Sequence, residues 1–210
     1  MIQYFKPRSS QSQSGFTLIE VLVIVIIIGV LSAIAAPGWL SFINNRRIST
    51  MRGQVTETLR KAQTDAKTKR TMQAVLFDTS DAGRKSPKVA IVRCATSATA
   101  IITSDGCDLT GAVPDWQTLG NGDVKPGVVR YTKTTIAQTN AGSADRIRLV
   151  FDANGLVKTS LSGAMPFRIS LGLTKPGSST ELSGQPRCVV VQTLIGGISE
   201  GNSTNECGSL

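Results

Sequence analysis

The sequence has no histidine among its 210 residues, so it lacks the side chain on which many catalytic and metal sites depend. This excludes Ser-His-Asp triads, Cys-His pairs and His-ligated zinc sites. The four cysteines do not have C-x-x-C spacing, so neither a zinc knuckle nor a thioredoxin-like site is predicted. Four aspartates in one turn-rich stretch also lack the spacing of a calcium loop: Asp105, Asp108, Asp115 and Asp123. We therefore expect a protein that is not an enzyme and that has no metal or cofactor.

Charge is almost absent from one long segment, because Glu20 is the only charged residue within residues 16–36. As a helix, this segment is long enough to cross the ~30 Å hydrocarbon core of a bilayer. A carboxylate at the bilayer centre costs about 2.5 to 3.5 kcal/mol, so Glu20 is expected to need a partner. Lys6 and Arg8 precede the segment and favour a cytoplasmic N-terminus, with the rest of the chain outside the cytoplasm.

Three interpretations of the apolar segment are open. A secretory signal peptide would be cut after Ala33-Ile34-Ala35, although the apolar run exceeds the usual length of about 7 to 15 residues. An uncut N-terminal anchor explains the length but leaves the combination of Gly15, Phe16 and Glu20 unexplained. The third interpretation depends on those three residues taken together.

Gly15-Phe16-Thr17-Leu18-Ile19-Glu20, followed by an apolar stretch and Pro37, resembles the class III signal and N-terminal helix of type IV pilins and of type II secretion pseudopilins. The resemblance implies that residues 1–15 are a leader, which a prepilin peptidase removes between Gly15 and Phe16 before the new amino terminus is methylated. It also implies that the apolar segment is kept, first in the bacterial inner membrane and then in a filament of other pilin or pseudopilin subunits. Glu20 would there meet the charged amino terminus of a neighbouring subunit, a pairing that can select the register of assembly.

We place the transmembrane part of the helix at residues 16–40, with a bend near Pro37, and an amphipathic continuation at residues 41–72. Apolar residues in the continuation recur every three or four positions and predict one buried face: Ile48, Met51, Val55, Leu59, Ala62 and Ala66. Another face carries acids four residues before bases, which favours a helix: Glu57, Lys61, Asp65 and Lys69. The helix is expected to end within residues 70–72.

Residues 73–210 change to short β-rich runs separated by turn residues, which predicts one globular head. The expected strands are residues 74–77, 89–94, 128–132, 146–151, 156–160, 167–172 and 188–193. Asp152-Ala153-Asn154-Gly155 predicts a tight hairpin turn, and residues 177–184 predict a loop. The predicted fold class is α+β, with the long N-terminal helix packed on an antiparallel β-sheet or a small β-sandwich.

All four cysteines lie beyond the apolar segment, which suits disulfide bonds in an oxidising compartment. They allow three pairings, of which Cys94 with Cys107 and Cys188 with Cys207 close the shortest loops. Free buried thiols are the alternative.

Two stretches of the head, IRLVFDANGLVKTSLSGAMPFRISL and RCVVVQTLIGGISEGN, resemble the FimT/GspH-type minor pilins. This resemblance implies a helix-plus-β-sandwich head. It also implies a structural subunit of low abundance, which joins a priming complex or lies near the tip of a type IV pilus or a type II secretion pseudopilus.

The basic charge suggests an alternative function, a DNA-binding minor pilin for DNA uptake in natural transformation. The formal net charge is +9, falling to +7 if Lys6 and Arg8 leave with the leader, and such a charge attracts polyanions. Some FimT-type relatives bind DNA through an arginine-containing glycine motif, but the matching residues here, Gly196-Gly197-Ile198-Ser199, contain no arginine. The remaining candidate DNA-binding residues are Arg60, Lys67, Arg70, Arg84, Lys85 and Lys88.

Overall fold

A computed structural model describes residues 15–78, 86–95, 106–109, 111–120, 127–132, 146–158, 166–174 and 182–207. Its longest element is the 52-residue helix α1 (Leu18–Lys69). The chain divides into two compact units, Met1–Ile43 and Asn44–Leu210, and α1 contributes residues to both. The prediction that one helix continues past Pro37 is confirmed, whereas the bend near Pro37 stays a prediction.

The part of α1 in the second unit has the predicted buried face. Each of its apolar residues at the expected spacing is at most 1% exposed: Ile48, Met51, Val55, Leu59, Ala62 and Ala66. On the exposed side, Asp65 and Lys69 form the expected pair one turn apart, with 3.0 Å between Oδ2 and Nζ. Spacing alone therefore identified the face of the helix that packs in the core.

The end of α1 is closed by Arg70, which has a positive φ of 52°. The backbone N–H of Thr71 donates to the carbonyl of Ala66 at 3.3 Å, the long hydrogen bond of a Schellman-type cap. Glycine usually occupies such a left-handed position because it has no Cβ. The helix thus ends at Lys69, beside the predicted range of 70–72, and an arginine occupies a position that favours glycine.

Among the described residues, the first sheet has five antiparallel strands in the order β3-β2-β1-β5-β6. Their bounds are β1 (Gln73–Asp78), β2 (Lys88–Arg93), β3 (Gln117–Thr118), β5 (Arg146–Phe151) and β6 (Val157–Lys158). The predicted hairpin between β5 and β6 is confirmed, since Phe151 pairs with Val157. The carboxylate of Asp152 accepts the backbone N–H groups of Asn154 at 2.9 Å and Leu156 at 2.8 Å, and Gly155 supplies the positive φ of 74° that the turn needs.

The second sheet, in the part of the chain that the structure describes, has four antiparallel strands in the order β4-β7-β8-β9. Their bounds are β4 (Val129–Thr132), β7 (Phe167–Thr174), β8 (Leu182–Val191) and β9 (Ile198–Gly201). The loop predicted for residues 177–184 is wrong over its last three residues, because β8 begins at Leu182. Along β7 and β8, Leu171 pairs with Arg187 but Leu173 pairs with Ser183, so β8 contains a bulge. The bulge accommodates Gly184, with φ of 80°, and Pro186, both of which suggest a loop in the sequence.

The main core lies among α1 and the inner faces of both sheets. Phe77 of β1 connects the sheets, with its ring centroid 6.4 Å from that of Phe167 in β7 and 5.8 Å from that of Tyr131 in β4. Alternate residues of β5, namely Ile147, Leu149 and Phe151, point into the same core. The predicted α+β class, a long helix on antiparallel β-structure, is confirmed.

The outer face of each sheet is partly covered by a short segment that a disulfide bond attaches. Cys94 pairs with Cys107, and a small second core includes these cysteines, Leu76, Val150 and residues of the segment 107–116. Cys188 pairs with Cys207, which joins α2 (Thr204–Cys207) to β8 beside Val190. The structure therefore contains the two short-loop pairings, and all four cysteines are bonded.

Three elements were missed by the sequence analysis. β3 has two residues and exists through its pairing with Lys88 and Val89, and α2 is a single turn held by Cys207. β9, with the sequence ISEG, has no apolar alternation and is defined by its pairing with β8. Local pattern cannot predict such elements, because long-range contacts determine them.

Candidate functional site

The first candidate site is the start of α1, where Thr17 caps the helix. The backbone N–H of Glu20 donates to Thr17 Oγ1 at 3.3 Å and to the Thr17 carbonyl at 3.1 Å, so Glu20 lies in the first helical turn. Gly15, Phe16 and Thr17 precede the helix. The sequence analysis missed this cap, although Thr17-Leu18-Ile19-Glu20 has the T-x-x-E spacing of a capping box.

Glu20 is exposed and lies where the helix dipole favours a negative charge. The hydrogen bonds to Thr17 use its backbone N–H and leave its carboxylate out of the cap. Within the described part of the chain, no cation forms an ion pair with this carboxylate. The geometry therefore presents a carboxylate on the side of the helix, one turn from its beginning.

The helix that follows Glu20 exposes apolar side chains in all directions. Every residue from Gly15 to Ala35 is exposed, and the window Leu18–Ala35 is long and apolar enough to cross a membrane. Large apolar side chains exposed by half or more include Leu18, Val25, Ile28, Leu31 and Ile34. So large an apolar surface is stable only when lipid or another protein covers it.

Thr17 caps a helix whose first part is apolar on all sides and, by length and composition, could cross a membrane. The same helix continues into the α+β head. Residues 10–36 match the family model of the prokaryotic N-terminal methylation motif. The match includes Gly15, Phe16 and Glu20. The N-terminal segment thus carries this methylation motif, which agrees with the predicted resemblance of residues 15–20 to a class III signal.

Two solved structures are similar to this chain at low identity. The first is the type IV minor pilin FimU of Pseudomonas aeruginosa PAO1, with 14% identity and a TM-score of 0.42, covering 78% of this chain and 94% of FimU. The second is the minor pseudopilin EpsH of the Vibrio cholerae type 2 secretion system, with 11% identity and a TM-score of 0.40, covering 74% of this chain and 97% of EpsH. No curated protein sequence matches the chain.

The second candidate site, the predicted DNA-binding residues, is only partly brought together. Arg60, Lys67 and Arg70 are all exposed and are spaced by seven and three residues, so the first two share one face of α1 and Arg70 follows at its end. Lys88 lies instead on β2, where its carbonyl accepts the hydroxyl of Tyr131 at 3.1 Å. Arg84 and Lys85 lie outside the described residues.

Gln63 lies on the same face of α1 as Arg60 and Lys67, and its side chain connects two turns of the head. No motif in the sequence indicates this role. Its Nε2 donates to the carbonyls of Gly155 and Ile195, at 3.0 Å each. Gly196 has φ of 79°, and a Cβ there would lie 2.3 Å from Gln63 Nε2. The close approach of Gln63 therefore explains one of the two glycines that the sequence analysis compared with a DNA-binding motif.

A polar cluster attaches the C-terminal segment to α1 at the other end of the head. Arg52 Nη2 lies 2.9 Å from Glu200 Oε2, and Thr56 Oγ1 donates to Glu200 Oε1 at 2.9 Å. The side-chain carbonyl of Asn202 accepts from both Arg52 and Arg187. The backbone N–H of Asn202 donates to Glu206 Oε2 at 2.7 Å, and this hydrogen bond lowers the pKa of Glu206. The cluster has a structural role, because each of its charges is used within the head.

Proposed function

We propose that this protein is a minor pilin or minor pseudopilin, a structural subunit that primes the assembly of a type IV pilus or a type II secretion pseudopilus, or lies near its tip. The observation that carries the proposal is the methylation motif at residues 10–36, which coincides with a fully exposed apolar helix joined to a folded head. A helix of this kind can lie in lipid first and among other subunits later, because both surroundings cover its apolar surface.

In this proposal a prepilin peptidase cuts between Gly15 and Phe16, and the new amino group is methylated. The N-terminus starts on the cytoplasmic side of the bacterial inner membrane, and the head lies outside the cytoplasm. Two disulfide bonds in the head support that location, because such bonds persist in oxidising compartments. Cleavage there leaves Phe16 directly before the Thr17 cap, so the processed chain begins one residue before its helix.

Glu20 is proposed to direct assembly. The cap uses its backbone N–H, so its carboxylate can bind the amino terminus of a neighbouring subunit. Such a pair adds little net stability in an apolar filament core, but removal of one partner leaves the other charge buried. The pair therefore selects one register of subunits rather than strengthening the filament as a whole.

Mass analysis of the mature N-terminus tests the processing step. The proposal expects a chain that starts at methylated Phe16. A chain that starts at Ala36 would establish a secretory signal peptide, and an intact Met1 would leave only an anchor; either result contradicts the proposal.

Substitution of Glu20 tests the assembly step. We expect Glu20→Ala to lower incorporation of the subunit into filaments while its amount in the membrane is unchanged. Glu57→Ala removes an exposed acid from the head part of the same helix and serves as the matched control. Normal incorporation of the Glu20 variant would contradict the proposed role.

DNA binding during natural transformation is a second candidate function, supported by the exposed cations Arg60, Lys67 and Arg70. It predicts that the full chain in detergent binds duplex DNA with an affinity that falls steeply with salt. Replacing all three residues by alanine should lower the salt slope by about two to three, since about one counterion is released per phosphate contact. Lys61→Ala, on another face of α1, is the control. Absence of binding at low salt would contradict this function.

A further inference from the structure

The two turns that Gln63 connects carry three exposed aliphatic side chains. Leu156 in the β5–β6 turn is 40% exposed, and Leu194 and Ile195 in the β8–β9 turn are 54% and 71% exposed. The turns adjoin each other, because the backbone N–H of Val157 donates to the carbonyl of Leu194 at 2.7 Å. Together these three side chains form an apolar patch on the surface of the head.

Hydrogen bonds within the head fix this patch. Gln63 donates to the carbonyl of one residue in each turn, and the carboxylate of Asp152 closes the β5–β6 turn. Gly155 and Gly196, both with positive φ, allow the backbone to approach α1 closely. Because the backbone of these turns is already fixed, a partner does not have to order it on binding, which lowers the cost of binding.

The rim of the patch is basic. The methylene groups of Lys67 lie against Gly155, next to Leu156. Lys158 is two residues beyond Leu156, and both are exposed, whereas Val157 between them is buried. Leu156 and Lys158 therefore both face away from the core. Arg60 lies one turn before Gln63 on the same face of α1. Asp152, the acid of these turns, has its carboxylate engaged by backbone N–H groups.

We infer that these six residues, Leu156, Leu194, Ile195, Arg60, Lys67 and Lys158, form a docking surface for a different protein whose contact area is apolar at its centre and acidic at its rim. Charge complementarity identifies the partner, because acids opposite the three cations both attract and orient it. A second copy of this chain fits poorly, since its net charge is still +7 without Lys6 and Arg8 and its own patch is basic. Nucleic acid would use the cations but not the aliphatic side chains, which provide no ring for a base to stack on.

This inference goes beyond the proposed function, because the partner is defined by its surface and not by membership of a filament. The test places a photo-crosslinking amino acid at Ile195 of the full chain in its own cells, and at Val113 as a control. Val113 is 91% exposed and belongs to the segment covering the first sheet. Mass spectrometry then identifies the crosslinked peptide.

The expected result is one protein, crosslinked from Ile195 but not from Val113, through a peptide in which acids flank apolar residues. Lys158→Glu should then lower the crosslink yield about tenfold, and exchanging the facing acid of the partner for lysine should restore it. Lys61→Glu, on another face of α1, should leave the yield unchanged.

Several results would overturn the inference. These are crosslinks to DNA that a nuclease removes, crosslinks to a second copy of this chain, equal yields from Ile195 and Val113, or no rescue by the exchanged charge. The circular dichroism of the Lys158→Glu protein distinguishes loss of the interface from loss of the fold. If it is unfolded, Lys67→Gln with the same partner exchange replaces it. If the mature N-terminus starts at Phe16 and one of these contradicting crosslinking results is found, the proposed function is unaffected. Only the inference of a docking surface is then wrong.

Discussion

The two halves of α1 are both rich in apolar residues, but they differ in where those residues lie. In the half from Leu18 to Ala35 every residue is exposed, whereas Ile48 to Ala66 places an apolar stripe in the core of the head. The first half therefore depends on lipid or other chains to cover it, while the second half is covered by its own sheets. The helix thus combines an exposed apolar segment with a segment that stabilises the fold, and substitutions in the two halves should affect different properties.

The largest expected difference comes from removing one leucine in each half. Leu59 is fully buried, so Leu59→Ala should lower the free energy of unfolding of the head by about 2 to 5 kcal/mol. Leu22→Ala removes the same atoms from a side chain that is 48% exposed and should leave that free energy unchanged. Denaturant unfolding of the full chain in detergent, followed by near-ultraviolet circular dichroism, measures both. Equal losses would show that the two halves do not differ as described.

Adding a positive charge to each half of α1 should change membrane retention only in the first half. Ile27→Lys places an ammonium group in the middle of the apolar half and should cost about 2.5 to 3.5 kcal/mol on insertion, so that little of the protein resists alkaline extraction from membranes. Thr64→Lys adds the same charge to an exposed position of the other half, and membrane retention should be normal. Retention of the Ile27 variant in membranes would contradict a bilayer-spanning role for the apolar half.

Gln63 adds polar contacts to the apolar stripe in the second half of α1, and its contribution to the stability of the head can be measured separately. Gln63→Leu leaves the carbonyls of Gly155 and Ile195 without this donor and should destabilise the head by about 1 to 3 kcal/mol. Gly196→Ala should also destabilise it, because the new Cβ would lie 2.3 Å from Gln63 Nε2 at a φ of 79°. In a Gln63→Ala background that close contact is gone, so Gly196→Ala should cost less. Additive losses in the double-mutant cycle would show that the two residues do not interact.

Sequence reasoning was most accurate where periodicity alone determines the structure. The spacing of Ile48 to Ala66 identified all six buried residues of the stripe, and Asp152-Ala153-Asn154-Gly155 identified its hairpin. The stretch Gly15 to Glu20 lies within the matched methylation motif, which can be recognised in the sequence because it is a local pattern of side chains. These features depend on neighbours within a few residues along the chain.

The missed features depend on residues far apart in sequence. β9 is a strand because Cys188 to Val191 pair with it, and Gln63 is important because two turns about ninety and one hundred and thirty residues later approach it. Arg148 of β5 is only 2% exposed, and Val150, two residues further along the same face of the strand, belongs to the second core. No local pattern contains such information, since it arises only when the sheets are assembled.

The ends of α1 provide the smallest and most specific comparison. The first half begins at Thr17 with a residue suited to its position, whereas the second half ends at Arg70, whose φ of 52° would suit glycine. Arg70→Gly should therefore stabilise the head by about 0.5 to 1 kcal/mol, because the strain of a left-handed arginine exceeds the backbone entropy that glycine loses. Lys61→Gly, within the regular part of the same helix, should destabilise it by about 1 kcal/mol. If chemical denaturation gave the same sign for both, the cap at Arg70 would not be strained. If Arg70→Gly stabilised the head but weakened DNA binding, the arginine would be retained for its charge at the expense of stability, as expected when a functional surface conflicts with local backbone preference.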